Sequence, residues 1–171
     1  EISNIKPINY YGFSKREGEK HIEESKSESI VIRTSWLYSK FGKNFVNTII
    51  EKCINNSEIN VVDDQFGCPT YAKDLANDIL KIIKLNTSLN FENKIFNYSN
   101  LGYTNWYDFA QTIKSICGFN NLIKPVSTSF YKNDVKRPKF SVTSKQKIID
   151  TFSLEINNWD KSLEDYLKND L

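Results

Sequence analysis

Tyr11, Ser14 and Lys15 lie in the run Tyr-Gly-Phe-Ser-Lys near the start of the chain, and their types and spacing suit acid–base chemistry. A tyrosine and a lysine four apart on a helix share one face, so the ammonium can lie beside the phenol and favour phenolate. Free tyrosine titrates near ~10, and a neighbouring cation is one of the few ways to bring it toward working pH. Such a pair can give a proton to a carbonyl. The spacing alone decides little. Nine tyrosines and a mostly lysine set of 23 cations yield about one such match by frequency counting, and the chain contains one. A surface tyrosine and lysine on an amphipathic helix fit the same pattern, so the meaning of the pair depends on the rest of the chain.

Those elements must come from 171 residues, enough for one ordinary domain or a large part of a bigger one. A hydrophobic content of 39% with 26% charged residues is globular. No run approaches the roughly 18 apolar residues of a membrane span, and the opening residues lack the apolar core of a signal peptide. A soluble, cytoplasmic protein with no membrane partner is expected. The formal charge of +2 is spread without a basic stripe, which excludes nucleic acid as the expected partner. Cys53, Cys68 and Cys117 are odd in number and lack Cys-x-x-Cys spacing, and read as reduced, buried residues. With His21 the only histidine, a zinc site or a Ser-His-Asp arrangement lacks material, and no metal ligands are assigned. There is no methionine. A complete gene product begins with one, so the chain is expected to be a segment whose missing part lies on the N-terminal side.

Short β-rich runs alternate with helix-period segments, the signature of α/β architecture. A first helix is predicted from Tyr10 to Lys26. Ile30, Val31 and Ile32 predict a strand buried on both faces, ending at Arg33-Thr34-Ser35-Trp36. Ligands of open α/β sheets bind at such strand ends. Asn44 is placed to cap a helix with Phe45, Val46, Ile49, Ile50, Cys53 and Ile54 on its apolar face. A strand at Ile59 to Val62 leads into the loop Asp63 to Thr70, with Thr70 expected to cap the helix of Leu75, Ile79 and Ile83. After a polar connector from Asn86 to Asn93, Ile95, Phe96 and Tyr98 predict a strand. Thr104 is expected to cap a helix from Trp106 that ends at Gly118. Leu122 to Val126 reads as a strand, and Trp159, Leu163, Tyr166 and Leu167 as a closing helix.

Four segments occur in one order at compatible spacings: Tyr11-Gly-Phe-Ser14-Lys15, Arg33-Thr34-Ser35-Trp36, Gly42-Lys-Asn44-Phe45 and Asp64-Gln65-Phe-Gly67-Cys-Pro69-Thr70. Together they resemble the dTDP-4-dehydrorhamnose reductase family of extended short-chain dehydrogenase/reductases. The likeness continues through Asn105-Trp106-Tyr107-Asp108-Phe109-Ala110 and Arg137-Pro138 to Trp159-xxx-Leu163. It implies the C-terminal portion of a Rossmann-type α/β fold. Residues 1–99 would be the end of the core, carrying the catalytic helix and substrate loop, and residues 100–171 mainly a small substrate-binding lobe.

The resemblance implies NADPH-dependent reduction, or reduction with NADH, of the 4-keto group of dTDP-6-deoxy-L-lyxo-4-hexulose to dTDP-L-rhamnose. Tyr11 and Lys15 match the catalytic positions and, with Arg33, the cofactor-binding ones. Trp36, Gln65, Pro69, Thr70 and Arg137 match the nucleotide-sugar side. The six glycines, at 12, 18, 42, 67, 102 and 118, form no Gly-x-x-Gly-x-x-Gly turn for a pyrophosphate. That turn, and the Ser or Thr that accompanies the pair, would belong to an N-terminal half, without which this chain is not expected to reduce anything. Lys73 stands where some relatives carry a glutamate for a bridging Mg²⁺, which argues against a metal-dependent dimer. Strands meant for the missing half would leave an open edge, making a second copy of the chain a candidate partner. The alternatives are a nucleotide-sugar epimerase or dehydratase of the same superfamily, and a non-catalytic regulatory subunit.

Overall fold

The computed structural model describes residues 5–25, 28–85, 95–131 and 135–171. The expected connector at Asn86 to Asn93 lies outside them. Helix α1 (Tyr10–Glu24) begins at Asn9, whose Oδ1 accepts the Gly12 N–H at 2.8 Å, and stops at Ser25, just short of the predicted end. Strand β1 (Val31–Arg33) and the two-residue β2 (Leu37–Tyr38) lead to α2 (Phe45–Asn55), capped by Asn44 as expected. Then follow β3 (Glu58–Val62), β4 (Phe66–Gly67), β5 (Thr70–Tyr71), α3 (Ala72–Lys84), β6 (Ile95–Asn97), β7 (Thr104–Asn105), α4 (Trp106–Ile116) and β8 (Leu122–Val126). A 3₁₀ turn (Thr128–Phe130), α5 (Gln146–Phe152) and α6 (Trp159–Asn169) complete the chain.

Parallel strands need long crossovers, and the order of elements supplies them. β1 pairs in parallel with β6, Val31 facing Ile95 and Arg33 facing Asn97. β3 pairs in parallel with β8, from Glu58 opposite Leu122 to Val62 opposite Val126. There are two further short ladders, β2 with β5 in parallel and β4 with β7 antiparallel, among the described residues. β6 is fully buried, whereas β1 is only half-buried along its length, short of the two-faced burial predicted for it.

Two apolar clusters hold these pieces. The larger joins α2, α4 and α6 over β3 and β8 through Val46, Ile49, Phe109, Ile113, Ile123 and Leu163. The smaller joins Ile82, Phe96 and Tyr98 to Ile148 and Phe152 of α5. Both draw on residues from either side of position 100, so the 1–99 and 100–171 portions do not have separate cores. Helix α5 is absent from the sequence reading. Its apolar positions are few, and it forms because Ile148 and Phe152 close the second cluster.

Two predicted caps do other work. Thr70 belongs to β5, and the residue before α3 is Tyr71, which makes no side-chain cap. Thr104 belongs to β7, while Asn105 caps α4 by accepting the Asp108 N–H at 2.7 Å. In both places strand pairing fixes the threonine one residue too early to cap.

A buried polar knot joins the layers. The Asn100 amide donates to Asp74 Oδ2 at 2.7 Å and to Ser162 Oγ at 2.8 Å, while its oxygen accepts the Tyr71 N–H at 2.8 Å. Lys73 and Tyr71 both donate to Asp170 near the C-terminus, and those contacts hold its carboxyl below the usual carboxylate range. Lys73 thus closes α3 onto the end of α6. Asn100 is wholly buried, so Asn100→Ala strands a peptide N–H and weakens the partners of a carboxylate, and is expected to lower stability by about 2–3 kcal/mol. Urea unfolding measures this, and a loss under about 0.5 kcal/mol, typical of a surface change, contradicts it.

Candidate active site

Helix α1 carries the Tyr-Lys pair but buries none of its side chains, and Tyr11 is 69% exposed. Lys15 Nζ lies 5.3 Å from the Tyr11 ring centroid, the shared face that the four-residue spacing predicts. Ser14 turns away: its hydroxyl donates to the Tyr11 carbonyl at 2.9 Å and serves the helix backbone. Polar contacts hold α1 where apolar packing does not. Arg33 Nε and Nη2 donate to the two Glu19 oxygens at 2.6 and 2.7 Å, a bidentate clamp from the end of β1 to the helix. Two donors of the residue expected at the cofactor are therefore occupied in fixing α1. Asn9 adds a second tie, because the side chain that caps the helix also donates to the Lys136 carbonyl at 2.9 Å. One residue links the start of α1 to the segment of Arg137.

The opposite wall is built from the two motifs at the ends of β1 and β3. Thr34 Oγ1 donates to Thr70 Oγ1 at 3.1 Å, Thr70 Oγ1 to the Ser35 carbonyl at 2.6 Å, and Ser35 Oγ to the Cys68 carbonyl at 2.8 Å. The Thr70 N–H donates to the Trp36 carbonyl. This lacing holds Trp36 in the left-handed region at φ 48°, a conformation that costs a non-glycine residue about 1–2 kcal/mol. Its indole stacks on Trp106 of α4 with centroids 3.4 Å apart and planes 8° from parallel. It also lies directly on Gly67, where a Cβ would fall 2.5 Å from Trp36 Cε2. Glycine is required there by close approach.

Gln65 is buried against the same wall. Its Oε1 accepts the Trp106 Nε1–H at 3.3 Å, and its Nε2 donates to Thr128 Oγ1 at 2.9 Å. Thr128 in turn donates its N–H and its hydroxyl to Asp64, which holds that carboxyl below its ordinary range.

A cavity of about 330 Å³ gathers Tyr11, Trp36, Gln65 and Arg137, with Asn9, Trp106, Val135, Pro138 and Ser141 completing its lining. Pro69 and Thr70 are fully buried and do not line it; Thr70 holds the Trp36 carbonyl, and Pro69 accepts the Asn100 N–H. A second cavity of about 470 Å³ adjoins, lined by Phe45, Ile49, Val61, Tyr131, Lys52 and Asn60 among others. Gln65, Trp106, Val135 and Arg137 line both, so these four residues form the junction. Sequence reasoning places Asp64 and Trp106 in matching segments but gives neither a site role, and it passes over Asn9. The cap position of Asn9 and the place of Asp64 at the head of its loop are the signals that point to them.

The family model for the RmlD substrate binding domain matches residues 1–171 of this chain. The chain belongs to the RmlD substrate-binding domain family. It is 37% identical over 168 residues to the spore coat polysaccharide biosynthesis protein SpsK of Bacillus subtilis, covering 98% of this chain and 57% of that protein. It is 35% identical over 162 residues to the dTDP-4-dehydrorhamnose reductase of Sinorhizobium fredii, covering 91% of this chain and 55% of the other. The crystal structure of dTDP-4-dehydrorhamnose reductase from Bacillus anthracis in complex with NADP superimposes with a TM-score of 0.88 at 37% identity, over 98% of this chain and 57% of that one. The fold is therefore that of the extended short-chain dehydrogenase/reductases, and the chain spans a little over half the length of these relatives. Among the described residues no helix is long and apolar enough to cross a membrane, and no cluster of His, Cys, Asp and Glu suits a metal ion.

The Trp36 stack makes a testable demand on Gly67. Gly67→Ala is expected to push the indole off Trp106, weaken the paired-tryptophan signal in near-ultraviolet circular dichroism, and cost about 1–3 kcal/mol by overpacking. An unchanged tryptophan signal with unchanged stability contradicts the close approach.

Proposed function

We propose that the full-length protein reduces the 4-keto group of dTDP-6-deoxy-L-lyxo-4-hexulose to give dTDP-L-rhamnose, with NADPH, or NADH, as the reductant. One observation carries this reading: Tyr11, Trp36, Gln65 and Arg137, far apart in sequence, line a single cavity. The residues present fit one end of the cofactor. Lys15 beside Tyr11 on an unburied helix face suits a ribose hydroxyl, while the glycines of this chain offer no turn for the pyrophosphate. We assign that grip to the part of the relatives' length that this chain does not span. When bound, the nicotinamide supplies hydride to the carbonyl carbon.

The chain's own residues do the remainder. The Tyr11 hydroxyl gives its proton to the carbonyl oxygen, and the Lys15 ammonium stabilises the phenolate left behind. Trp36, braced by Trp106 and Gly67, turns the part of its indole that lines the cavity to the C–H surface of a deoxyhexose. Arg137 stands at the junction of the two cavities, where a planar guanidinium can grip the diphosphate with two parallel hydrogen bonds. The nucleoside then falls in the larger cavity, between the apolar walls of Phe45, Ile49 and Val61 and the polar groups of Lys52 and Asn60.

Tyr11→Phe in the full-length protein is expected to lower turnover by roughly 10²- to 10⁴-fold with little change in KM for the nucleotide sugar. Product analysis should show one NADPH consumed per sugar reduced. Near-normal turnover of the variant, or product formed without net NADPH consumption, contradicts the proposal, the second outcome being that of an epimerase or dehydratase.

A further inference from the structure

The orientation of the Gln65 amide is determined from both sides. Trp106 Nε1 can only donate, so the atom facing it at 3.3 Å must be Oε1. On the other side the single proton of the Thr128 hydroxyl goes to Asp64 Oδ1, which also receives the Thr128 N–H at 2.9 Å. An ionised carboxylate only accepts, so Thr128 Oγ1 must in turn accept, and it takes Nε2–H from Gln65 at 2.9 Å. The two ends agree. Among the described residues, each leaves one group on the amide without a partner: a second N–H on Nε2 and a second lone pair on Oε1. Gln65 is only 6% exposed, yet it lines both cavities at their junction.

We propose that Asp64, acting through Thr128, is a positioning residue that locks Gln65 with its free N–H toward the junction, where that N–H donates to an oxygen of the bound nucleotide sugar beside the diphosphate. The inference rests on the reductase reading above and adds to it a polarity: the site offers a donor at this point. Asp64 heads the Asp-Gln-x-Gly-x-Pro-Thr loop, and the relay gives it a role distinct from that of the loop's glycine and threonine, which support Trp36. Without the Thr128 hydroxyl only the longer Trp106 contact, at 3.3 Å, is left to tell the two ends of the amide apart, and a flipped amide would present oxygen to oxygen.

The test uses the full-length protein with the 4-keto nucleotide sugar and NADPH. Thr128→Val, which removes the hydroxyl at nearly constant shape, is expected to raise KM for the nucleotide sugar about tenfold with a much smaller change in kcat. Thr128→Ser restores the hydroxyl and should bring KM back to within about twofold of the parent. Gln65→Glu, which can accept but cannot donate, should raise KM by more than Thr128→Val does. A purely structural role would instead lower the melting temperature of Thr128→Val and leave KM unchanged, and that result overturns the inference. So does a Thr128→Ser variant as impaired as Thr128→Val. Failure of the underlying reading is separate: the parent protein would then turn over no keto sugar at all.

Discussion

The contact of Trp36 with Gly67 and Trp106 governs the site. It brings together three segments that sequence keeps apart, namely the end of β1, the loop after β3 and the start of α4. The lacing of Thr34, Ser35 and Thr70 holds the backbone of Trp36 in a left-handed conformation. The absence of a side chain at Gly67 lets the indole lie flat. The β4–β7 ladder, which sets Gly67 opposite Thr104, delivers Trp106 to the stack two residues later. Once that wall stands, Gln65 finds its donor in Trp106 and the two cavities acquire a common junction. Aromatic stacking here works less as a source of stability than as a device for registering loops against one another.

Facing this wall is a helix of opposite character. α1 has no buried side chain, and its place is set by the Glu19–Arg33 clamp and by Asn9 reaching Lys136. Tyr11, the proposed proton donor, therefore sits on an element that is electrostatically tethered, whereas the wall proposed to face the sugar belongs to the packed body. Asn9 couples the two, since displacing the Lys136–Arg137 segment would pull on the cap of the helix that carries Tyr11. On the proposed reading, a substrate held by Arg137 is thereby held in register with Tyr11.

Much of this was legible in the sequence where the cause is local. The four-residue spacing placed Lys15 beside Tyr11, Asn44 capped α2, and the apolar periods of α2, α4 and α6 found their core. The strand expected at Leu122 to Val126 is β8, its Pro125 accommodated opposite Val61 with only β3 beside it among the described residues. What was not legible depends on partners distant in sequence. Thr70 and Thr104 look like helix caps until β5 and β7 find their ladders. That Arg33 clamps α1 is invisible until Glu19 comes within reach, and Trp106 looks like ordinary core until Trp36 lies on it. Helix α5 exists because a second cluster needs closing, a demand that its seven residues do not announce.

A crystal structure of the full-length protein with dTDP-L-rhamnose bound tests the account most directly. The account predicts the deoxyhexose against Trp36 with its O4 within hydrogen-bond reach of the Tyr11 hydroxyl, the diphosphate on Arg137, and the nucleoside in the cavity walled by Phe45 and Val61. A hexose away from Trp36, or a nucleoside seated outside that cavity, would contradict it.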